Sequence, residues 1–442
     1  MRLFPILMLV ASCWAQPHYI VPPPALDRAH VYRFNAHGHP TGIVSGWLDS
    51  GYVSDYSGAG YDAVVLSVKD SYSCPGPCNP SICNAPNCGV EPDPGSHPGF
   101  TVIPGWESTI PGVSNAPHMT ISGATTETSS SDLQTKINNA LSQGAFVALA
   151  HPALTITGYT AGTSYGYGSN YTGMGWPVAA MQAVTGFHAI EVTTDSTGPV
   201  DHRIPIYRYL DAGGKTWITA GDDSYSNTHM GRAAFVSAAS SSAADIVAGL
   251  KAGAFFASDV ANRSLYCSNT ATTITCTYYS DIAGTTPASG RVRFVTGLMT
   301  TNGTGTDGAT DATGMIFSSA SRTFTAADSW NKIGISCPGG ANPATYWIGY
   351  VSGGSAALVA AGSGQPVTTP GANLSGCTFT VYAGSANTTV GSGGTATYTI
   401  QGGEKYVAPM ADSGTGYGYA RVWAQPYYVP RAVFPLPASV GR

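Results

Sequence analysis

In the stretch "VYRFNAHGHPTG", residues 31–42, two imidazoles, His37 and His39, stand one residue apart just after an apolar run. An H-x-H pair suits a metal clip, although polar loops carry the same pair. Related residue types recur downstream at similar places. Lys69 and Asp70 follow "DAVVLSV", Glu107 follows "FTVIPGW", His151 lies in "LAHP", Glu191 in "AIEV", and Asp222 and Asp223 follow "KTWITAG". Imidazoles mixed with carboxylates suit borderline-hard divalent ions such as zinc, manganese or iron. A carboxylate such as Glu107 can bridge two of them, and water on such an ion ionises near neutral pH and becomes a nucleophile. For His37 and His39 to share an ion, the expectation is a bend between them, with "HPTG" supplying it. Asp222 and Asp223 are neighbours, so in an extended chain their side chains diverge and one alone is expected to face the ions. Glu191 is read first as a partner for a helix terminus. His188 is expected to be packed or hydrogen-bonded, and His202 and His229 to lie on the surface.

The elements that must hold these residues are short and apolar. Runs at 30–36, 62–68, 100–106, 145–150, 187–193, 215–221 and 232–238 are mostly continuous rather than alternating. That is expected of strands buried on both faces, as in a parallel sheet. Helical patterns lie between several of them. "SSSDLQTKINNALSQG" predicts a Ser-capped helix with Leu133, Ile137, Ala140 and Leu141 on one face and Gly144 as its stop. Residues 176–184, 203–214 and 242–253 read likewise, and 47–60 is a helix weakened by Gly51 and Gly58. Alternation of strands and helices predicts an α/β fold, and seven strands fit a closed or nearly closed barrel, with a doubly wound open sheet as the alternative. In parallel barrels the chemistry gathers at the carboxyl ends of the strands, and the first six runs each carry an imidazole, carboxylate or ammonium at or near that end.

After residue 258 helical periodicity stops. Segments such as "TATTITCTYYS", "GRVRFVTGL", "ATYWIGYVS" and "CTFTVYAG" predict a β-rich, sandwich-like region to residue 442. The Gly-rich "TNGTGTDGATDATG", with Asp307 and Asp311, is expected to be a surface loop rather than a calcium site.

Composition narrows the partners. The chain has 442 residues, charged residues make up 10%, and 19 Lys and Arg against 24 Asp and Glu leave a net charge of −5. Without a basic patch or stripe, no nucleic-acid partner is expected. A surface poor in charge and rich in Gly, Ser, Thr and Tyr suits a secreted, periplasmic or cell-surface protein. The N-terminal "MRLFPILMLVASCWAQ" has the form of a signal peptide cut after Ala15, followed by a lead from 16 to 28. "VASC" also resembles a lipobox, so membrane attachment would come only through acylation of Cys13. Apart from Cys13 there are eight cysteines, an even number expected to pair in an oxidising compartment. Cys74, Cys78, Cys83 and Cys88 crowd a loop spanning 71–90, where disulfides are favoured over a four-thiolate zinc knot.

In order and spacing, these pieces resemble the PHP (polymerase and histidinol phosphatase) family of metal-dependent hydrolases over residues 29–258. Its H-x-H is matched by His37 and His39, its GxDxxxxTDH by "GYDAVVLSVKD", its GxE by "GWE", its His-Pro by "AHP" and its aIEV by "AIEV". "YLDAGGKTWITAGDDSYS" matches a helix, a strand and the family's DDSH, and "GLKAGAFFAS" its segment after the barrel. The resemblance implies a distorted (β/α)7 barrel, here followed by the β-rich region, and one or two divalent ions. It places His37, His39, Glu107 and Asp223 around a first ion and Glu107 and His151 at a second, whose other ligands it does not locate here.

The departures fall together. Lys69 and Tyr225 stand where the family has histidines, and Val44 where it has an aspartate. All three family residues serve largely one further ion. The expectation is that this ion is absent, with the Lys69 ammonium in its space and stabilising developing negative charge. Tyr225 could donate a proton to a leaving group, with packing an equal alternative. The function expected is an exported metal-dependent hydrolase, a phosphoesterase acting on a small phosphorylated substrate. The alternative is a catalytically degenerate barrel serving as a cell-surface binding or structural subunit, and hydrolysis of an amide or lactone stays open.

Overall fold

The structure is a computed structural model. It describes residues 21–39, 50–65, 68–69, 98–109, 117–152, 176, 178–194, 200–202, 206–207, 209–210, 212–224, 230–280, 289–298, 388–400, 404–412 and 421–429, with the backbone alone for six strands between 315 and 382 and for a few other residues, Lys69 among them. The N-terminal 20 residues, Val44, Asp70, the cysteines of the 71–90 loop, Tyr225, His229, Asp307, Asp311, Cys337 and Cys377 lie outside the described residues.

The first strands are β1 (Val31–Asn35), β2 (Ala63–Val65), β3 (Val68–Lys69), β4 (Thr101–Ile103), β5 (Gly105–Ser108), β6 (Met119–Ser122), β7 (Phe146–Leu149), β8 (Ala189–Glu191), β9 (Thr193–Thr194), β10 (Val200–Asp201), β11 (Trp217–Thr219), β12 (Ala233–Ser237) and β13 (Phe255–Ser258). The helices are α1 (Ser50–Gly58), α2 (Leu133–Ser142), α3 (Val178–Ala183) and α4 (Ala243–Ala252). Strands alone follow: β14 (Arg263–Asn269), β15 (Thr273–Ser280), β16 (Gly290–Leu298), β17 (Met315–Ser318), β18 (Lys332–Ser336), β19 (Thr345–Ser352), β20 (Ser355–Val359), β21 (Pro366–Val367), β22 (Thr378–Tyr382), β23 (Thr388–Val390), β24 (Thr395–Thr399), β25 (Glu404–Asp412), β26 (Arg421–Trp423) and β27 (Tyr427–Tyr428).

The chain is α/β with mixed sheets, and strands dominate. One sheet runs β4-β2-β1-β12-β13-β26-β25-β16-β23, with β27 also on β25; another runs β11-β8-β7-β6-β5-β3. Among the described residues these ladders do not close into a barrel. Instead, two stretches of chain pass from the first sheet to the second, through β2 into β3 and through β4 into β5. Nor are the sheets purely parallel. β1, β2 and β4 are parallel neighbours, as are β7, β8 and β11, but β12 is antiparallel to β1, and β6 is antiparallel to both β5 and β7. Continuous apolar runs report burial on both faces, which β6 and β7 have, and a sandwiched antiparallel strand looks the same in sequence.

The two sheets share an apolar core. Phe34, Ala63, Val65 and Ile103 of the first meet Phe146, Ala148 and Ala189 of the second, and Ile246, Val247 and Leu250 of α4 fill in beside them. Helix α4 starts on Ser242, whose side chain accepts from the Asp245 amide, and stops at Gly253, whose φ of 77° suits glycine. Helix α2 is capped by Asp132, not by a serine: the carboxylate accepts from the Thr135 amide. Aspartate at that position also favours the positive end of the helix dipole.

The first sheet continues across residue 258. β13 pairs with β26, and the buried Gln425 side chain accepts from Ile218 N at 2.7 Å and donates to the carbonyls of Ile218 and Phe255 at 2.9 and 3.0 Å. The other late strands form a three-stranded sheet, β14-β15-β24, and a six-stranded one, β17-β22-β18-β19-β20-β21. A disulfide joins Cys267 and Cys276 across β14 and β15.

His188 is packed and bonded, on the face of Phe146 with its Nδ1 accepting from Val147 N at 3.1 Å. Burial, helped by the Lys251 charge, pushes its pKa down to about 4. The unfolded chain therefore takes up this proton first, near the ordinary histidine value of 6.5, and stability is lost as the pH falls from there towards about 4. Because the ring is partly exposed, the loss is expected to be about 1–2 kcal/mol rather than the full value of the shift. In urea melts at pH 7 and pH 4, His188→Gln, which can still accept from Val147, should lose less stability than wild type by that amount; equal losses would remove His188 as the cause.

Candidate metal centre

β1 ends at Asn35, the chain bends at Ala36, and Gly38 forms a parallel bridge with Ser224. The Asp223 amide donates to His37 O at 2.6 Å and the His39 amide to Ser224 O at 2.8 Å. The bend thus precedes the histidine pair instead of dividing it. Alternate residues of an extended segment face the same side, so His37 and His39 converge without a turn between them. Gly38 is required where it is: a Cβ there would come within 2.4 Å of Tyr52 Oη and 2.6 Å of Tyr56 Oη.

Five side chains singled out in the sequence meet here, all buried: His37, His39, Glu107, His151 and Asp223. Asp223 Oδ1 lies 3.4 Å from His37 Nε2 and 3.2 Å from His39 Nε2. Glu107 reaches His37 Nε2 with Oε1 at 3.5 Å and His39 Nε2 with Oε2 at 3.3 Å. Glu107 Oε1 also lies 3.1 Å from His151 Nε2. Two groups of donors result, His37 with His39 and Asp223, and His37 with Glu107 and His151. Zinc–ligand bonds of about 2.0–2.1 Å place tetrahedral neighbours roughly 3.3–3.4 Å apart, and the spacings around His37 and His39 match.

The tautomer of His37 sharpens the fit. Its Nδ1 is 3.0 Å from Glu191 Oε1 and 3.2 Å from Oε2, so Nδ1 carries the hydrogen. A neutral ring then turns the lone pair of Nε2 towards two carboxylates. That atom is sealed from solvent and makes no hydrogen bond. A lone pair facing two anions is repulsive unless a positive charge sits between them, either a proton or a metal ion. Burial would push the His37 imidazole down, but the carboxylates of Glu191, Asp223 and Glu107 outweigh it and hold the pKa well above its ordinary value. Burial likewise works to raise Asp223, and the imidazoles of His37, His39 and His151 hold it well below the usual carboxylate range.

Glu191 is neither a helix-terminus partner nor a member of either donor group; it orients His37, and its Oε2 accepts from His151 N at 2.9 Å. A carboxylate on the far nitrogen of a ligating histidine raises its basicity and fixes its ring. Asp222 points away from the centre, as its adjacency to Asp223 led us to expect. It accepts from Asn35, Tyr61 and the amides of Gly231 and Arg232, and burial pushes its pKa up to about 6 against the Arg232 and Arg33 charges. His202 is not a surface residue: it is fully buried, with Nε2 3.0 Å from Thr194 Oγ1. β3 sets Lys69 in register with Glu107 of β5; its side chain and Tyr225 are outside the described residues.

Sequence reasoning missed His118. It lies immediately before β6, buried, with Nδ1 2.5 Å from Glu107 Oε1 and its ring 5.0 Å from that of His151. The signal available was "HMTIS", a short run that pairs with "GWES" in register Glu107 to Thr120.

His151 and Asp223 are also the two non-glycine residues with positive φ, at 31° and 47°, among the described residues. Such conformations cost on the order of 1–3 kcal/mol each and persist where the surroundings dictate them. Both place a donor in the centre.

No family model matches this sequence, and no curated protein matches it. Among solved structures, a two-domain protein from Bacteroides vulgatus, described as containing a predicted PHP-like metal-dependent phosphoesterase, is similar at 16% identity and a TM-score of 0.38, over 69% of this chain and 86% of that one.

Proposed function

We propose that the chain is an exported metal-dependent hydrolase that cleaves a phosphoric ester of a small substrate. With this reading go a distorted (β/α)7 barrel over residues 29–258 and a sandwich-like β-region after it. One observation carries the proposal: the buried Nε2 of His37, its hydrogen committed to Glu191 on the other side, faces the carboxylates of Glu107 and Asp223. His37, His39, Asp223 and Glu107 would hold one ion, and Glu107, His151 and His118 a second; the mixed donors suit zinc, manganese or iron.

When bound, such an ion supplies Lewis acidity and a water ionised near neutral pH. The protein's own groups do the rest. Glu191 keeps the His37 ring in one tautomer and holds the main chain of His151 through its other oxygen. Glu107 ties both histidine sets to one carboxylate. Burial of all five donors strengthens their field at the reacting group. Lys69 is given the role of balancing charge where a further ion would otherwise sit, and Tyr225 that of proton donor to the leaving group.

Elemental analysis after reconstitution with zinc, manganese or iron should find one or two equivalents in wild type and fewer in His37→Ala. The same preparations should hydrolyse a nitrophenyl phosphate mono- or diester, with His37→Ala at least about 10²-fold slower. Metal bound without any hydrolysis, or no metal in wild type, would overturn the hydrolase reading in favour of the degenerate barrel, and three equivalents would overturn the role of Lys69.

A further inference from the structure

The two ligand-bearing segments, 37–39 and 222–224, come from opposite ends of the first 240 residues, and one side chain is bonded to both. Asn35 is fully buried at the end of β1. Its Oδ1 accepts from His37 N at 2.9 Å and from Asp222 N at 3.2 Å. Its Nδ2 donates to Asp222 Oδ2 at 2.8 Å and contacts Tyr56 Oη at 2.5 Å. The amide has one usable orientation, because flipping it would set NH2 against two backbone N–H groups and oxygen against a carboxylate. Neither a carboxylate nor a shorter hydroxyl offers an acceptor on one side and a donor on the other at this reach.

The far side of the link is equally fixed. Asp222 Oδ1 accepts from Gly231 N at 2.9 Å and Arg232 N at 2.8 Å, and Oδ2 accepts from Tyr61 Oη at 3.0 Å and Tyr56 Oη at 3.3 Å. Gly38 seats the histidine segment directly on this group, with no room for a Cβ between it and Tyr52, Tyr56 and Asn35. The residues that aim His37, His39 and Asp223 are therefore anchored to one another before any ion arrives.

We propose that Asn35 is a positioning residue: its side-chain amide locks the His37–His39 segment to the Asp222–Asp223 segment and so sets the affinity of the centre for a divalent cation. The affinity part rests on the metal-binding reading above; the locking part does not. Asn35→Asp is nearly isosteric but loses both N–H donors and sets a second carboxylate against Asp222. The exchanged pair N35D/D222N restores one amide facing one carboxylate with the roles reversed.

Two measurements on the full chain test this. By calorimetric titration, the Mn²⁺ dissociation constant should rise about 10- to 100-fold in N35D and return towards wild type in N35D/D222N. In the metal-free proteins, hydrogen exchange of the His37 and Asp222 amides should speed up in N35D and slow again in the exchanged pair, while amides of β14 and β15 keep their rates. Wild-type affinity and exchange in N35D would overturn the proposal, as would an exchanged pair no better than N35D. Should N35D not fold, the decision passes to the exchanged pair: folding with near-wild-type exchange supports the lock, and failure to fold removes it. If wild type and His37→Ala alike take up no Mn²⁺, the metal reading fails and the exchange rates alone decide the lock.

Discussion

Glu107→Gln should leave the protein folded, strip it of nearly all bound metal and lower its phosphoesterase rate at least about 10³-fold. The size follows from the place of the carboxylate. Oε1 faces His37, His118 and His151, and Oε2 faces His39, so Glu107 reaches the donors of both candidate ion positions. A glutamine of the same shape keeps one acceptor, presents an NH2 group to imidazole nitrogens that must offer lone pairs to a metal, and removes one of the two anions that His37 Nε2 faces. Metal catalysis supplies several kcal/mol of transition-state stabilisation, and each 1.36 kcal/mol is a factor of about ten. Stability gives a second readout. A cation that binds only the folded state adds about 2.7 kcal/mol at a hundred times its Kd, so metal should raise the Tm of wild type and a chelator should reverse it. Glu107→Gln should show neither shift. A variant that keeps wild-type metal content and rate would mean that the carboxylate is structural.

Why some of this centre could be read in the sequence and some could not comes down to range. His37, His39, Glu107, His151 and Asp223 each follow an apolar run, and in an α/β layer the ends of such runs lie along one rim, so five distant residues could be brought together on paper. What failed needed knowledge of what lies opposite. His118 was passed over because β6 is four residues long and has meaning only as the antiparallel partner of β5 and β7. His202 reads as a loop residue, yet its main chain pairs with Val192 and its ring with Thr194. Asn35 and Glu191 have the composition of ordinary polar residues, and their importance lies in contacts 154 to 187 residues away. A parallel arrangement, closed or nearly closed into a barrel, was expected because burial on both faces marks a strand's layer but not its direction. β6 runs the other way with all four of its residues buried, and β12 with three of its five.

Gly105→Ala is expected to destabilise the fold by about 3 kcal/mol or more and, in the fraction that folds, to weaken metal binding. Gly105 opens β5 where the chain leaves the first sheet for the second. A Cβ there would stand 2.0 Å from the carbonyl oxygen of Ile121 and 2.6 Å from Val65 Cγ2. The first of these is backbone of the neighbouring strand, in a ladder where Gly105 is opposite Ser122 and Glu107 opposite Thr120, so no side-chain rotation relieves it. The strands must part, and they are the ones that carry Glu107 and His118 towards each other. Loss of stability and loss of affinity are therefore coupled through a single contact. Gly58→Ala, whose added carbon would meet nothing within 4 Å, is the control: there the less flexible unfolded chain should leave stability unchanged or raise it slightly. Urea melts of the two variants separate these expectations. If Gly105→Ala melts with wild type, β5 and β6 do not pack as closely as this crossing requires, and the approach of His118 to Glu107 loses its basis.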